Sequence, residues 1–153
     1  MHLAQLNVAR LRAPLDAPAT ADFVAGLEPM NALSDAAPGF VWRLKGGDQP
    51  TDTVQHDYGD QLLINFSVWE SRETLWNYVY RTAHLEYLRR RREWFEHLGE
   101  PTVVMWWIPE GYTPTLAEGM ARLDLLRAQG PGPDAFTFTD FHQPPTPAAT
   151  TPA

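Results

Sequence analysis

The stretch from Gln61 to His84 constrains the fold more than any other part of the chain. Leu62, Ile64, Phe66 and Val68 alternate with Leu63, Asn65, Ser67 and Trp69, the period of two that defines a β-strand. The first set is wholly apolar. The second mixes apolar surface with an amide, a hydroxyl and an indole N–H. A strand with bulky side chains on both faces needs cover on both, and the mixed face is the natural seat of specific recognition. Ser71 is suited to N-cap the helix that follows, which Thr74 and Leu75 lead into.

The rest of the chain builds around this strand–helix unit. His2–Arg10 reads as a first strand, with Leu6 and Val8 on one face and Gln5 and Asn7 on the other. Thr20 is a candidate N-cap for a helix carrying Phe23, Leu27 and Met30, in which Pro29 predicts a kink or a split into two short helices. Pro38 and Gly39 form a turn before a second strand at 40–44. The glycine- and proline-containing residues 45–60 form a long loop whose His56, Asp57 and Asp60 are weak metal-ligand candidates, so no metal site is expected. Helix continues past Ser71, with a break near Arg81 to Ala83, to Gly99 and Pro101. Residues 102–108 form a doubly covered strand. Thr115 and Glu118 resemble a capping box for a last helix ending at Gly130, and Ala135–Phe138 is a short final strand.

The order is β-α-β-β-α-β, then a helix and a strand. The predicted fold is α+β: a ferredoxin-like split βαβ unit whose antiparallel sheet is covered by helices on one face. Aromatic residues on the other face then call for a partner sheet, and a homodimer supplies one. At 153 residues a single domain over 1–142 buries roughly 70% of its unfolded surface, leaving 143–153 as a disordered tail rich in Pro, Thr and Ala.

Composition removes several functions. With no cysteine, disulfides, thiolate nucleophiles, iron–sulfur clusters and cysteine zinc sites are impossible. No apolar run reaches the ~20 residues that span a bilayer, and no signal peptide is visible, so a cytoplasmic location without membrane association is expected. The net charge of -7 argues against a nucleic-acid partner. The run Arg89–Arg92 reads as a solvated helical face with one or two arginines paired to carboxylates, or as the source of one arginine that holds an anionic or phenolate ligand.

Candidate chemistry gathers on one sheet face, where alternation places Asn7, Asn65, Ser67 and Trp69. Trp69 offers a flat wall with one donor and Asn65 both a donor and an acceptor, suited to a planar, oxygenated small molecule. In an unbroken helix Trp76, Tyr80, His84 and Tyr87 share a face, with Leu75, Tyr78, Val79 and Thr82 packing on the sheet. His84 is the best general-base candidate; His97 complements a helix end. Trp106 adds aromatic surface to a candidate pocket. Phosphate loops, dinucleotide fingerprints, nucleophile elbows and His-Glu-x-x-His motifs are all missing.

Taken together, Ser67-Val68-Trp69-Glu70-Ser71, Tyr80 with His84 four residues on, Arg90-Arg91-Arg92-Glu93-Trp94-Phe95, Trp106-Trp107 with Pro109 and Gly111, and Ala135-Phe136-Thr137-Phe138 resemble a bacterial family, domain-of-unknown-function family 3291. The resemblance spans residues 2–142. That family is similar in turn to the dimeric α/β-barrel superfamily, which includes antibiotic-biosynthesis monooxygenases. The resemblance implies a ferredoxin-like protomer in a homodimer. It also suggests a cofactor-independent monooxygenase acting on an aromatic or polyketide-like substrate, with Asn65 and Trp69 matching an Asn–Trp pair that some members use. Arg89 and Tyr78 or Tyr80 match more loosely.

On this reading His84, Arg89 and Asn65 are catalytic, with Asn7, Ser67, Trp69, Trp76, Tyr80 and Trp106 binding substrate. His84 takes or relays a proton and Arg89 stabilises developing negative charge. The superfamily also contains haem-binding members. That makes haem on His84 or His97 the alternative cofactor, and a non-catalytic ligand-binding or assembly dimer the third possibility.

Overall fold

The arrangement of the central strands follows from their register. In a computed structural model describing residues 1–45 and 62–145, β1 (His2–Arg10) lies between β3 (Leu62–Trp69) and β4 (Val103–Ile108). Gln5 faces Ser67 and Asn7 faces Asn65 on one side, while Gln5 faces Met105 on the other. A short edge strand, β2 (Phe40–Arg43), completes a four-stranded antiparallel sheet in the order β2-β3-β1-β4. The protein is therefore a mixed α+β fold on an open sheet. Loop residues His56, Asp57 and Asp60 lie outside the described residues, as does the tail from 146.

Five helices accompany the sheet among the described residues: α1 (Ala21–Asp35), α2 (Arg72–Arg81), α3 (His84–Arg89), α4 (Arg91–Trp94) and α5 (Leu116–Gln129). They cover both faces, which corrects the expectation of helices on one face only. Even-numbered sheet residues, among them Leu6, Ile64, Phe66, Val104 and Trp106, pack against Leu123 and Leu126 of α5. Gly119 permits this approach, since a Cβ there would stand 2.6 Å from Leu6 Cδ1. Trp42 from β2 meets Phe66 edge-on, and Phe66 lies against Trp106. The even face is thus covered by the chain's own last helix.

On the odd-numbered face, α2 brings Leu75, Tyr78 and Val79 onto Leu3, Trp69 and Met105. At the opposite end α1, α3 and α4 gather Phe23, Tyr87 and Trp94 around Leu11 and Leu63. The polar residues of the sheet lie between these two apolar clusters.

Local signals are honoured in part. Ser71 and Thr74 form a reciprocal capping box at α2. Thr115 accepts from the Glu118 N–H, but the Glu118 carboxylate takes the Tyr112 hydroxyl, so only half a box forms. Thr20 sits at the N-cap of α1, yet its hydroxyl donates to the carbonyls of Pro14 and Ala17 and ties down the preceding loop instead. Pro29 lies inside a single continuous helix, contrary to the expected split. It is exposed, where the carbonyl deprived of its N–H partner meets water. The expected final strand reduces to two isolated bridges: Phe136 and Met105 exchange both backbone hydrogen bonds, and Ala135 does the same with Gly132.

The break after Arg81 is real and has a cause. Thr82 is extended, its hydroxyl donates to the Tyr78 carbonyl at 2.6 Å and accepts from the His84 N–H at 3.2 Å. The chain is turned there, and the face expected to unite Trp76, Tyr80, His84 and Tyr87 is divided.

Candidate functional site

Strand pairing creates a polar row in the middle of the odd face. Gln5, only 5% exposed, places its Nε2 2.7 Å from Asn65 Oδ1 and 2.8 Å from Ser67 Oγ. Trp69 Nε1 donates to the same Ser67 oxygen at 2.9 Å. An indole N–H can only donate, so Ser67 is fixed as acceptor at that end. Asn65 is exposed and Asn7, directly across the strand pair, is half-buried. These two amides form the accessible mouth of the row.

Ser67 and Trp69 are buried beneath it, 7% and 1% exposed, and neither lines an opening as the sequence reading expected. The reason is α2, whose Tyr78 ring stacks on Trp69 with centroids 5.1 Å apart and 24° between planes. Phe40 meets the same indole edge-on. Trp69 is a wall for the core, and its polar edge serves Ser67.

Gln5 is the member of the site that sequence reasoning missed. Its parity with Asn7 placed it on the correct face, but pairing Gln5 with Ser67 required the strand register.

His84 stands one aromatic ring beyond the row. It packs against Tyr78, with ring centroids 5.0 Å apart, and its Nδ1 lies 3.1 Å from the Val79 carbonyl oxygen. A carbonyl can only accept, so Nδ1 carries the proton and Nε2 keeps its lone pair. Burial lowers the pKa of His84 from its ordinary value, only partly opposed by the Val79 carbonyl. Burial likewise pushes Tyr78 up to about 12, so this phenol stays protonated; it donates to the Met30 carbonyl at 3.2 Å. A groove beside it, lined by Ala37, Pro38, Thr74, Asn77, Tyr78 and Thr82, holds about 80 Å³, well short of the ~300 Å³ of ordinary ligand pockets.

Other expected residues lie elsewhere. Arg89 is exposed on α3, its side chain 65% accessible and paired with Glu86 at 3.2 Å, so it does not reach the row. Arg90 is the arginine of the run that pairs most fully, with Asp22 and Glu93 at 2.8 Å, while lying over the Trp94 ring. Trp76 and Tyr80 pack together against Phe138, with the Arg72 guanidinium over Trp76. Trp106 sits on the opposite sheet face, fully buried, with no partner for its indole N–H among the described residues. Its parity on β4 is even, whereas that of Asn65 on β3 and Gln5 on β1 is odd. His97 is exposed after α4. Among the described residues no three His, Asp or Glu side chains cluster as a metal site, and no helix is long and apolar enough to cross a membrane.

With this geometry established, comparison with known proteins adds a family. A profile described as Domain of unknown function (DUF3291) matches residues 2–151. The chain belongs to this family. Two solved structures are similar to this DUF3291 chain. PA3566 from Pseudomonas aeruginosa is 17% identical, with 74% of this chain and 95% of that one covered and a TM-score of 0.47. NE2512, a protein of unknown function from Nitrosomonas europaea, is 14% identical at the same coverages, 74% and 95%, with a TM-score of 0.48. No functionally curated protein matches the DUF3291 chain.

Proposed function

We propose that the protein is a small-molecule enzyme of the dimeric α/β-barrel type, a cofactor-independent monooxygenase that takes an aromatic or polyketide-like substrate at the Asn7–Asn65 mouth. The observation carrying this reading is the hydrogen-bonded row of Asn65, Gln5, Ser67 and Trp69. It is a set of pre-oriented dipoles opening at one exposed amide between two aromatic clusters, and such preorganisation favours charge that develops on a bound oxygen.

In the proposed reaction a substrate ring CH₂ or phenol loses a proton, and the resulting anion is stabilised by the Asn65 amide donors. The anion reduces O₂ and combines with it to a carbon-bound peroxide. Protonation and loss of water leave a carbonyl, one oxygen atom in the product and the other in water. His84 is a base whose Nε2 has no partner among the described residues, but it stands beyond the Tyr78 ring. The proton therefore leaves to water at the exposed mouth, and His84 receives it only through solvent. Arg89 has no part in this reading, since it is exposed and paired.

The Nε2 of His84, which has no partner among the described residues, also favours a second reading, haem held through that nitrogen. The first reading stands ahead of it because the hydrogen-bonded polar row supports it, whereas no described residue beside His84 adds a second haem contact. Titration with anthrones and hydroquinones, followed by tryptophan fluorescence, tests the proposal. It requires saturable binding that Asn65→Ala weakens about tenfold, the worth of one good hydrogen bond. An intense Soret band in protein from haem-supplied cells, lost in His84→Ala, would replace it with the haem reading. A ligand-binding or assembly protein predicts no turnover whichever variant is used.

A further inference from the structure

Gln5 touches no solvent-facing ligand position, yet it determines what Asn65 presents there. A side-chain amide nitrogen has two N–H bonds, and both Gln5 hydrogens are committed, one to Asn65 Oδ1 and one to Ser67 Oγ. Ser67 also receives the Trp69 N–H, which fills its second lone pair. With Oδ1 held by Gln5, Asn65 is left to present its Nδ2 hydrogens, which have no partner among the described residues, at its exposed position.

We propose that Gln5 is a positioning and specificity-determining residue: it fixes the polarity of Asn65 so that the mouth selects ligands presenting a hydrogen-bond acceptor, a carbonyl, enolate or phenolate oxygen, over ligands presenting a donor. This rests on the small-molecule reading above and names the substrate class for the same mouth. A donor group arriving at Asn65 meets hydrogens and is left unpaired, the asymmetry that makes polar selection strong. Burial of Gln5 at 5% exposure keeps water from competing for its hydrogens, and its place on β1 between β3 and β4 holds it on rigid strands.

Two measurements test the assignment. The first needs no ligand: solvent exchange of the side-chain amide protons, read by ¹H–¹⁵N correlation spectra of the full chain. Both Gln5 Nε2 protons are expected to be protected and both Asn65 Nδ2 protons to exchange freely. Protected Asn65 protons with freely exchanging Gln5 protons would reverse the polarity and overturn the proposal.

The second compares 9,10-anthraquinone, an acceptor, with 2-aminoanthracene, a donor, by fluorescence titration. Wild-type protein is expected to favour the quinone at least about tenfold. Gln5→Met, which fills similar volume without holding Asn65, is expected to bring that ratio toward one while the protein remains folded. Gln5→Glu, which when ionised can only accept, is expected to invert it at a pH where the carboxylate is charged, by turning Asn65 Nδ2 inward. A preference unchanged in Gln5→Met overturns the proposal even if Gln5→Glu fails to fold. If neither probe binds wild-type protein while the exchange pattern holds, the functional reading fails and the hold of Gln5 on Asn65 is upheld.

Discussion

Trp69 Nε1 donates to Ser67 Oγ at 2.9 Å from two residues further along the same strand, and the Gln5 amide reaches the same oxygen from β1 at 2.8 Å. One buried hydroxyl therefore satisfies two buried donors. Ser67→Ala strands both, and each unpaired buried donor costs about 1–3 kcal/mol. Urea denaturation of Ser67→Ala is expected to show a loss of roughly 2–6 kcal/mol. Trp69→Phe removes one of the two donors, so the double variant should be less damaged than the two single losses summed. Additive losses would show that the shared oxygen does not couple them.

Gly39 joins the second strand to the capping box of α2. Its φ is +80°, and a Cβ added there would run into the Thr74 side chain, which caps α2 with Ser71. Gly39→Ala adds left-handed strain of about 1 kcal/mol to a clash at the helix start, and a total loss of about 2–3 kcal/mol is expected. Thermal unfolding checks this. An unchanged midpoint would mean that Thr74 moves aside without loosening the cap.

Acid should weaken the fold through His84. Burial lowers its folded-state pKa below the usual 6.5, so the unfolded chain takes up a proton first as pH falls. Its contribution is intact above the unfolded value and is lost as pH drops through and below it. His84→Asn keeps a donor for the Val79 carbonyl without an ionisable ring. Its stability should fall less between pH 7.5 and 5 than that of the wild type. Equal losses in both proteins would place the acid sensitivity elsewhere.

Arg89→Ala is expected to leave stability within about 0.5 kcal/mol and ligand binding unchanged, because its one partner among the described residues is Glu86 on the same exposed helix face. A tenfold loss of binding or turnover would restore Arg89 to the site.

The strand alternation of residues 62–69 placed Asn65, Ser67 and Trp69 on one face, and the same parity on β1 placed Asn7 with them. Two-residue periodicity is a local property, so it was readable. What escaped was pairwise and longer in range. Gln5 meets Ser67 only through the β1–β3 register, and Trp106 falls on the far face because β4 pairs with β1 in one phase and not the other. The shared face of Trp76, Tyr80, His84 and Tyr87 failed at Thr82, whose hydroxyl turns the chain by bonds to Tyr78 and His84. The β-α-β-β-α-β order implies helices on one face only, but Leu116, Met120, Leu123 and Leu126 give α5 a core-facing stripe that covers the other.

Oxygen uptake by metal-chelated, haem-free protein with a panel of anthrones and hydroquinones is the most direct test of the account. Wild-type protein is expected to accelerate uptake of one O₂ per quinone formed, with Asn65→Ala slower by about tenfold or more and Arg89→Ala unaffected. Uptake no faster than in buffer across the panel, or equally fast in Asn65→Ala, would contradict it.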